Sequence, residues 1–218
     1  MKDTQDICII GLGSFGSAIA RELSRMGDHV TGIDRDPARV AALDGSMDAV
    51  MQADATDPKV LAHAGIGNFD RVIVAIGSDM QSSLLTVLGV MQAGAPNVSV
   101  KAQTPEHARI LRAMGVADIL EPEASEALRL SRLMHTPNMV DFMDLGDGKA
   151  VACVRAPSGS DCRTLGDMKL ARFGLHCVAI DVGERLLTAG LDTHVLAVTD
   201  RLVLAGSRAD MRRFALKG

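Results

Sequence analysis

Three glycines set between an apolar run and a stretch of helical period constrain this chain more than any other feature. Gly11-Leu-Gly13-Ser14-Phe15-Gly16 directly follows Ile7 to Ile10 and opens a segment whose apolar residues Phe15, Ala18, Ile19, Leu23 and Met26 recur at spacings of three and four. In such a strand-to-helix junction Gly11 permits a tight turn, Gly13 lets a diphosphate approach the backbone, and Gly16 lets helix and strand pack closely. The helix N-terminus then presents unpaired N–H groups and a partial positive charge to the phosphates. Asp34 closes the next apolar run, His29 to Ile33, where such a fingerprint expects an acid to accept hydrogen bonds from ribose hydroxyls. Its charge opposes a 2′-phosphate, and Arg35 beside it weakens that opposition. The alternative is a glycine-rich turn with no ligand; strand, helix and acid in register argue against it.

The same alternation continues to residue 134. Strands are expected at Ile7–Ile10, His29–Ile33, Ala49–Ala53, Arg71–Ile76, Val98–Ala102 and Asp118–Leu120, with helices at Pro58–Ala64, Asp79–Ala93, Pro105–Met114 and Glu123–Met134. A further helix runs to Leu43, with Asp36 as its N-cap and Pro37 in its first turn. Six strands with intervening helices predict an α/β, Rossmann-like, doubly wound parallel sheet over residues 1–134. His-Thr-Pro-Asn then breaks the pattern, so 135–141 reads as a linker. Residues 142–218 carry strand-like runs at Ala150–Arg155, Cys177–Asp181 and Arg201–Leu204, one helix at Thr164–Arg172 and a closing helix at Ser207–Leu216. That is a small α+β domain, short of material to cover both its faces without a partner.

Two more loops follow strands at the edge where ligands bind in open α/β sheets. Asp54-Ala55-Thr56-Asp57 lies beyond the ribose position, and Ile76-Gly77-Ser78-Asp79 lies near the point where strand order reverses. For Asp57 and Asp79 a helix-capping role competes with a ligand role. Lys101, ending the fifth strand, brings a charge to the same rim, either for a phosphate or acid partner or for solvent.

Composition removes several functions. Trp and Tyr are absent, Phe numbers five, and the net charge is −4; base-stacking surfaces and the basic patch needed for nucleic acid are both missing. No apolar stretch approaches the ~20 residues of a membrane span, and strand-like sequence begins too early for a secretion signal, which places the chain in the cytoplasm. Cys8, Cys153, Cys162 and Cys177 form no CxxC pair and read as four ordinary thiols. A dehydrogenase needs a proton-handling group over the nicotinamide. There is no Tyr, His63 and His107 are expected to face solvent within helices, and His135, His176 and His194 have no acid at a suggestive spacing. A nucleotide site without evident chemistry points to a sensor whose ligand shifts a conformational equilibrium. An NAD(P)-dependent oxidoreductase with a small substrate domain is the alternative.

Taken together, Gly11-Leu-Gly-Ser-Phe-Gly16, Ala53-Asp-Ala-Thr-Asp57, Val72–Gly77, Lys101-Ala-Gln103, Pro122-Glu123, Arg172–Asp181 and Val203–Ser207 resemble the KtrA/TrkA regulatory proteins of bacterial potassium uptake, built from an RCK (KTN) domain and a small RCK-C domain. The resemblance implies dimers assembled into an octameric ring, peripheral on the inner face of the cell membrane, that gates a potassium-translocating membrane subunit of the KtrB/TrkH kind. ATP, ADP or NAD(H) is the implied ligand, with Gly11, Gly13 and Gly16 at the phosphates, Asp34 at the ribose, Asp54 and Thr56 near the adenine, and Ser78 and Asp79 along the cleft. Glu123 corresponds to an acid that helps hold Mg²⁺ or Ca²⁺ between subunits. Ser14 stands where ATP-favouring members carry Arg, which implies weak preference for ATP over ADP. In the small domain a cyclic di-AMP site is implied at Ala189, His176 and Val178, although Gly190 replaces a common proline.

Overall fold

The computed structural model describes residues 4–77, 79–136, 138–157 and 163–215. It divides into two compact units, one up to Ala124 and one from Ser125 on.

In the first unit β1 (Asp6–Ile10), β2 (His29–Asp34), β3 (Ala49–Gln52), β4 (Arg71–Val74), β5 (Val98–Lys101) and β6 (Asp118–Leu120) form one parallel sheet in the order β3-β2-β1-β4-β5-β6. Between them run α1 (Ser14–Met26), α2 (Pro37–Ala41), α3 (Pro58–His63), α4 (Met80–Gln92) and α5 (Pro105–Ala113). Successive residues of a strand face opposite sides. Ile7 and Ile9 therefore pack with Leu12, Ala20, Val30 and Leu43 on one face. Cys8 and Ile10 pack on the other with Val72, Val74 and Val100, beneath Leu61, Val87, Val90 and Leu111 of the helices. Covering both faces is what makes these strands read as unbroken apolar runs. Burial also pushes the Cys8 thiol up to about 12. The expected strand at 71–76 ends at Val74, and the Ala75 N–H still donates to the Ile10 carbonyl of β1 at 2.7 Å.

The second unit is antiparallel. Strands β7 (Met139–Gly146), β8 (Lys149–Arg155), β9 (His176–Asp181), β10 (Leu186–Leu187) and β11 (Arg201–Ser207) lie in the order β10-β9-β11-β8-β7. One face buries Val154, Ile180, Leu202 and Leu204 against Leu175 and against Met211 and Phe214 of α7 (Arg208–Ala215).

Four further expectations differ from what the structure describes. The stretch 135–141 contains the end of α6 (Pro122–His135) and the start of β7. Arg129 and Arg132 of α6 pair with Asp141 and Asp144 of β7 at 3.1 and 2.8 Å, tying the helix to that strand. Thr164–Arg172 is two single 3₁₀ turns, Gly166–Met168 and Leu170–Phe173, split by Lys169 at φ 51°. Asp167 accepts from both the N–H and hydroxyl of Thr164, closing one turn, and Gly166 is a poor helix former. His107 does not face solvent. It is fully buried, on the inward stripe of α5 with Ala108 and Leu111, and its Nε2 has no hydrogen-bond partner among the described residues. His194 does have an acid: its Nε2 lies 2.9 Å from Asp200. Cys162, Ser78 and Leu216 lie outside the described residues.

Candidate functional site

The glycine turn joins β1 to α1, and its three glycines are held for different reasons. Gly11 has φ +97°, and an added Cβ would lie 2.9 Å from the carbonyl carbon of Ala75. A Cβ on Gly16 would lie 1.9 Å from the Gly11 carbonyl oxygen. These two belong to folding: they let β1, β4 and α1 approach. Gly13 is different, with φ −64° and nothing nearer an added Cβ than Arg39 Nη1 at 3.9 Å. It is the N-cap of α1, with no side-chain cap bond and no acid in the first turn. The first-turn N–H groups and the positive end of the helix therefore open into a cleft with an anion's worth of donors.

Asp34 braces that turn from β2. Its side chain is 4% exposed; Oδ2 accepts from the Leu12 N–H at 2.6 Å and faces Arg39 Nη1 at 3.4 Å, while Oδ1 accepts from the Asp36 N–H at 2.9 Å. A carboxylate offers about four lone-pair sites. Three are engaged, leaving one on Oδ1 for a ribose hydroxyl. Arg39 also approaches Asp36, at 3.5 Å, so a cation stands over both the acid and the Gly13 opening. The sequence reading missed Arg39, although its place five residues after Asp34, one turn into a helix capped by Asp36, puts it back over the end of β2.

The far rim is built by helix caps and by one ion pair whose lysine is buried and whose glutamate is exposed. Asp54 Oδ1 accepts from the Thr56 N–H and hydroxyl at 3.0 and 2.8 Å, and these bonds, the backbone one foremost, hold its carboxyl below the usual range. Asp57 caps α3 through the Lys59 N–H, and Asp79 caps α4 through the Gln81 N–H. The hydroxyl of Ser82 donates to Asp79 and is the main cause of its lowered pKa. Lys101 is the buried cation of the cleft. Its side chain is 10% exposed, its Nζ lies 2.5 Å from Glu123 Oε1 and 5.3 Å from the centre of the Phe15 ring. The lysine bond is the first cause holding the Glu123 carboxyl below its ordinary value. Glu123 thus serves an ammonium, and among the described residues no group of three or more His, Cys, Asp or Glu gathers to hold a metal ion. The donors present in one chain do not fit a divalent cation.

These elements enclose a cleft of about 540 Å³ at the carboxyl edge of β1, β2, β3 and β4. It brings together Gly11, Gly13, Ser14, Phe15, Asp34, Arg35, Asp54, Ala55, Thr56, Ile76, Gly77 and Lys101; it adds Gln103, quoted from the sequence only as part of a family motif, and Arg39 and Ser82, which sequence reasoning did not single out. Gly16 is buried behind it, while Asp79 and Glu123 stand outside the described lining. No His, Cys or Tyr lines the cleft among the described residues. His176, Val178 and Ala189 are on the exposed side of β9 and in the loop after β10, in the second unit.

The TrkA-N domain family matches residues 7–122, the unit that carries this cleft. The Ktr system potassium uptake protein C of Bacillus subtilis is 34% identical over 96% of this chain and 96% of its own length. The Ktr system potassium uptake protein A of the same organism is 31% identical over 98% and 97%. Among solved structures the GsuK RCK domain superposes with a TM-score of 0.65 at 17% identity, covering 99% of this chain and 48% of the other. The GsuK channel bound to NAD gives 0.63 at 17%, covering 96% and 38%. The chain thus spans about half or less of these two GsuK chains and nearly all of the Ktr proteins. On the family match and the near full-length identity, this chain belongs to the TrkA-N-domain Ktr potassium uptake proteins.

Proposed function

We propose that this protein is the cytoplasmic, nucleotide-binding regulatory subunit of a Ktr-type potassium uptake system, and that it has no enzymatic activity. The observation that carries this reading is the uncapped N-terminus of α1, opening over Gly13 into a cleft that holds Asp34 and whose described lining has no His, Cys or Tyr. Phosphates lie on the first turn of α1, one ribose hydroxyl takes the remaining site on Asp34 Oδ1, and the base lies toward Ala55 and Thr56 on aliphatic and backbone surface. NAD in the similarly folded GsuK channel and the potassium-uptake role of the Ktr relatives support the reading. Ser14 donates one neutral hydrogen bond where an arginine would offer a charged fork, so ADP and NAD(H) compete with ATP on near-equal terms.

Ligand occupancy is transmitted through self-association. Leu85, Leu88 and Met91 on α4 and Ile110 on α5 are 38–47% exposed, apolar surface that assembly of chains into dimers and an octameric ring covers. No helix among the described residues is long and apolar enough to cross a membrane, so the chain acts on a separate potassium-translocating subunit at the inner membrane face. Glu123 contributes to a shared Mg²⁺ or Ca²⁺ only where a second subunit supplies the other donors and displaces Lys101. Cyclic di-AMP binding at His176, Val178 and Ala189 is a separate property of the second unit.

The test is reconstitution of the protein with a Ktr-type potassium-translocating membrane subunit. Potassium flux should change on adding ADP, ATP or NADH, and the purified protein should turn over no NAD⁺ with alcohol or hydroxy-acid substrates. Flux indifferent to every nucleotide, or steady turnover, would overturn the reading.

A further inference from the structure

The second unit holds a cavity of about 330 Å³ under α6, β7 and α7 that shares no lining residue with the nucleotide cleft. Its floor is apolar, from Phe142, Ala150 and Met211, continuous with the core of that unit. Its rim is cationic. Arg132 and Arg208 each place Nη1 2.8 Å from the same oxygen, Oδ2 of Asp144, and the Arg132 guanidinium stacks 5.0 Å from the centre of the Phe142 ring. Arg212 completes the rim, and no carboxylate pairs with it among the described residues. Three guanidinium groups against one carboxylate leave an excess of two positive charges at one opening, in a chain whose net charge is −4. Two arginines sharing one acceptor atom use only a fraction of their donors, which leaves the rest of each guanidinium for a second oxyanion.

We infer that this cavity is a second ligand site, for a phosphate monoester whose phosphoryl group is held by Arg132, Arg208 and Arg212 and whose apolar body rests on Phe142 and Met211. A phosphate monoester carries nearly two negative charges at neutral pH and three acceptor oxygens, matching the excess charge and the number of arginines. The volume suits a small ligand, and the apolar floor gives the body a place that inorganic phosphate leaves empty. Asp144 is the competing anion that keeps the arginines aligned while the site is free.

Calorimetric titration of the full chain tests this with phenyl phosphate as the soluble probe and phosphatidylcholine vesicles doped with phosphatidate as the lipid one. Binding of either probe, weakened about tenfold or more by Arg212→Gln, which removes a charged hydrogen-bond donor at an exposed position, supports the site. Tighter binding by Asp144→Asn supports it further, as does indifference to Gly13→Ala, which sits in the other cleft. Failure of both probes to bind, affinity unchanged in Arg212→Gln and Asp144→Asn, or inorganic phosphate binding as tightly as phenyl phosphate would overturn it. Hydrogen-exchange protection of residues 131–142 that rises with protein concentration and not with probe assigns the cavity to a second copy of the chain and also overturns it.

Discussion

Gly13→Ala and Gly16→Ala separate the ligand role of the glycine turn from its folding role. At Gly13 the backbone is unstrained for alanine, with φ −64° and ψ −170°, and the new methyl has no neighbour closer than 3.9 Å. Alanine is a poorer N-cap than glycine, which costs about 0.5–1 kcal/mol. It also restricts the unfolded chain, which returns about 0.4–1 kcal/mol. The two nearly cancel, so the melting temperature should move by no more than about 2–4 °C. The bound phosphate has no such freedom. A methyl at Gly13 lifts it off the first-turn N–H groups, and loss of a charge-assisted bond of about 1.5–3 kcal/mol lowers affinity roughly tenfold to a hundredfold. At Gly16 the methyl would stand 1.9 Å from the Gly11 carbonyl oxygen and 3.2 Å from the Ala75 side chain. That forces α1 off β1, and soluble, folded protein should be lost or its melting temperature should fall by about 10 °C or more. Melting followed by far-ultraviolet circular dichroism and ADP titration by calorimetry read both effects. Wild-type affinity in Gly13→Ala would refute the placement of phosphates on this helix, and a normal melt for Gly16→Ala would refute the packing argument.

The remaining predictions follow from side chains whose surroundings were invisible in one dimension. Ser14→Arg should raise affinity for ATP over ADP by about tenfold to a hundredfold through a charged contact to the terminal phosphate; equal affinities in the variant would contradict that geometry. Burial lowers the His107 pKa below its ordinary value of 6.5, so the unfolded chain takes up the proton first. Stability should then fall as pH drops below about 6.5, by at most about 1.4 kcal/mol per pH unit, and His107→Met should flatten that slope in melts between pH 7 and pH 5. With its thiol pushed up to about 12, Cys8 should resist iodoacetamide in the native protein at pH 8 and react after denaturation; mass spectrometry showing prompt native labelling would contradict its burial.

Much of the first unit was legible because its signals are local. A parallel strand buried on both faces is a continuous apolar run, and caps such as Asp36, Asp57 and Asp79 announce helices in the letters beside them. The glycine fingerprint located the cleft for the same reason. What stayed hidden depends on contacts distant in sequence. Lys101 meets Glu123 across two elements, and nothing local says whether such a lysine is buried or solvated. His107 has the spacing of a buried stripe but the chemistry of a surface residue. In the second unit, β7 alternates poorly because Asp141 and Asp144 serve arginines rather than solvent alone. Its hairpin signal was present nevertheless: Asp147 and Gly148, at φ 48° and 76°, join β7 to β8 in the two-residue turn that an Asp-Gly pair favours.

Filling of the cleft with nucleotide is the most direct test of the regulatory role. The chain has no Trp and no Tyr, so after equilibrium dialysis against ADP or NAD⁺ nearly all absorbance at 260 nm above that of the dialysate belongs to bound ligand. One equivalent per chain, sharply reduced in Gly13→Ala, is the predicted result. No excess absorbance with any adenine nucleotide, or one equivalent retained in Gly13→Ala, would contradict it.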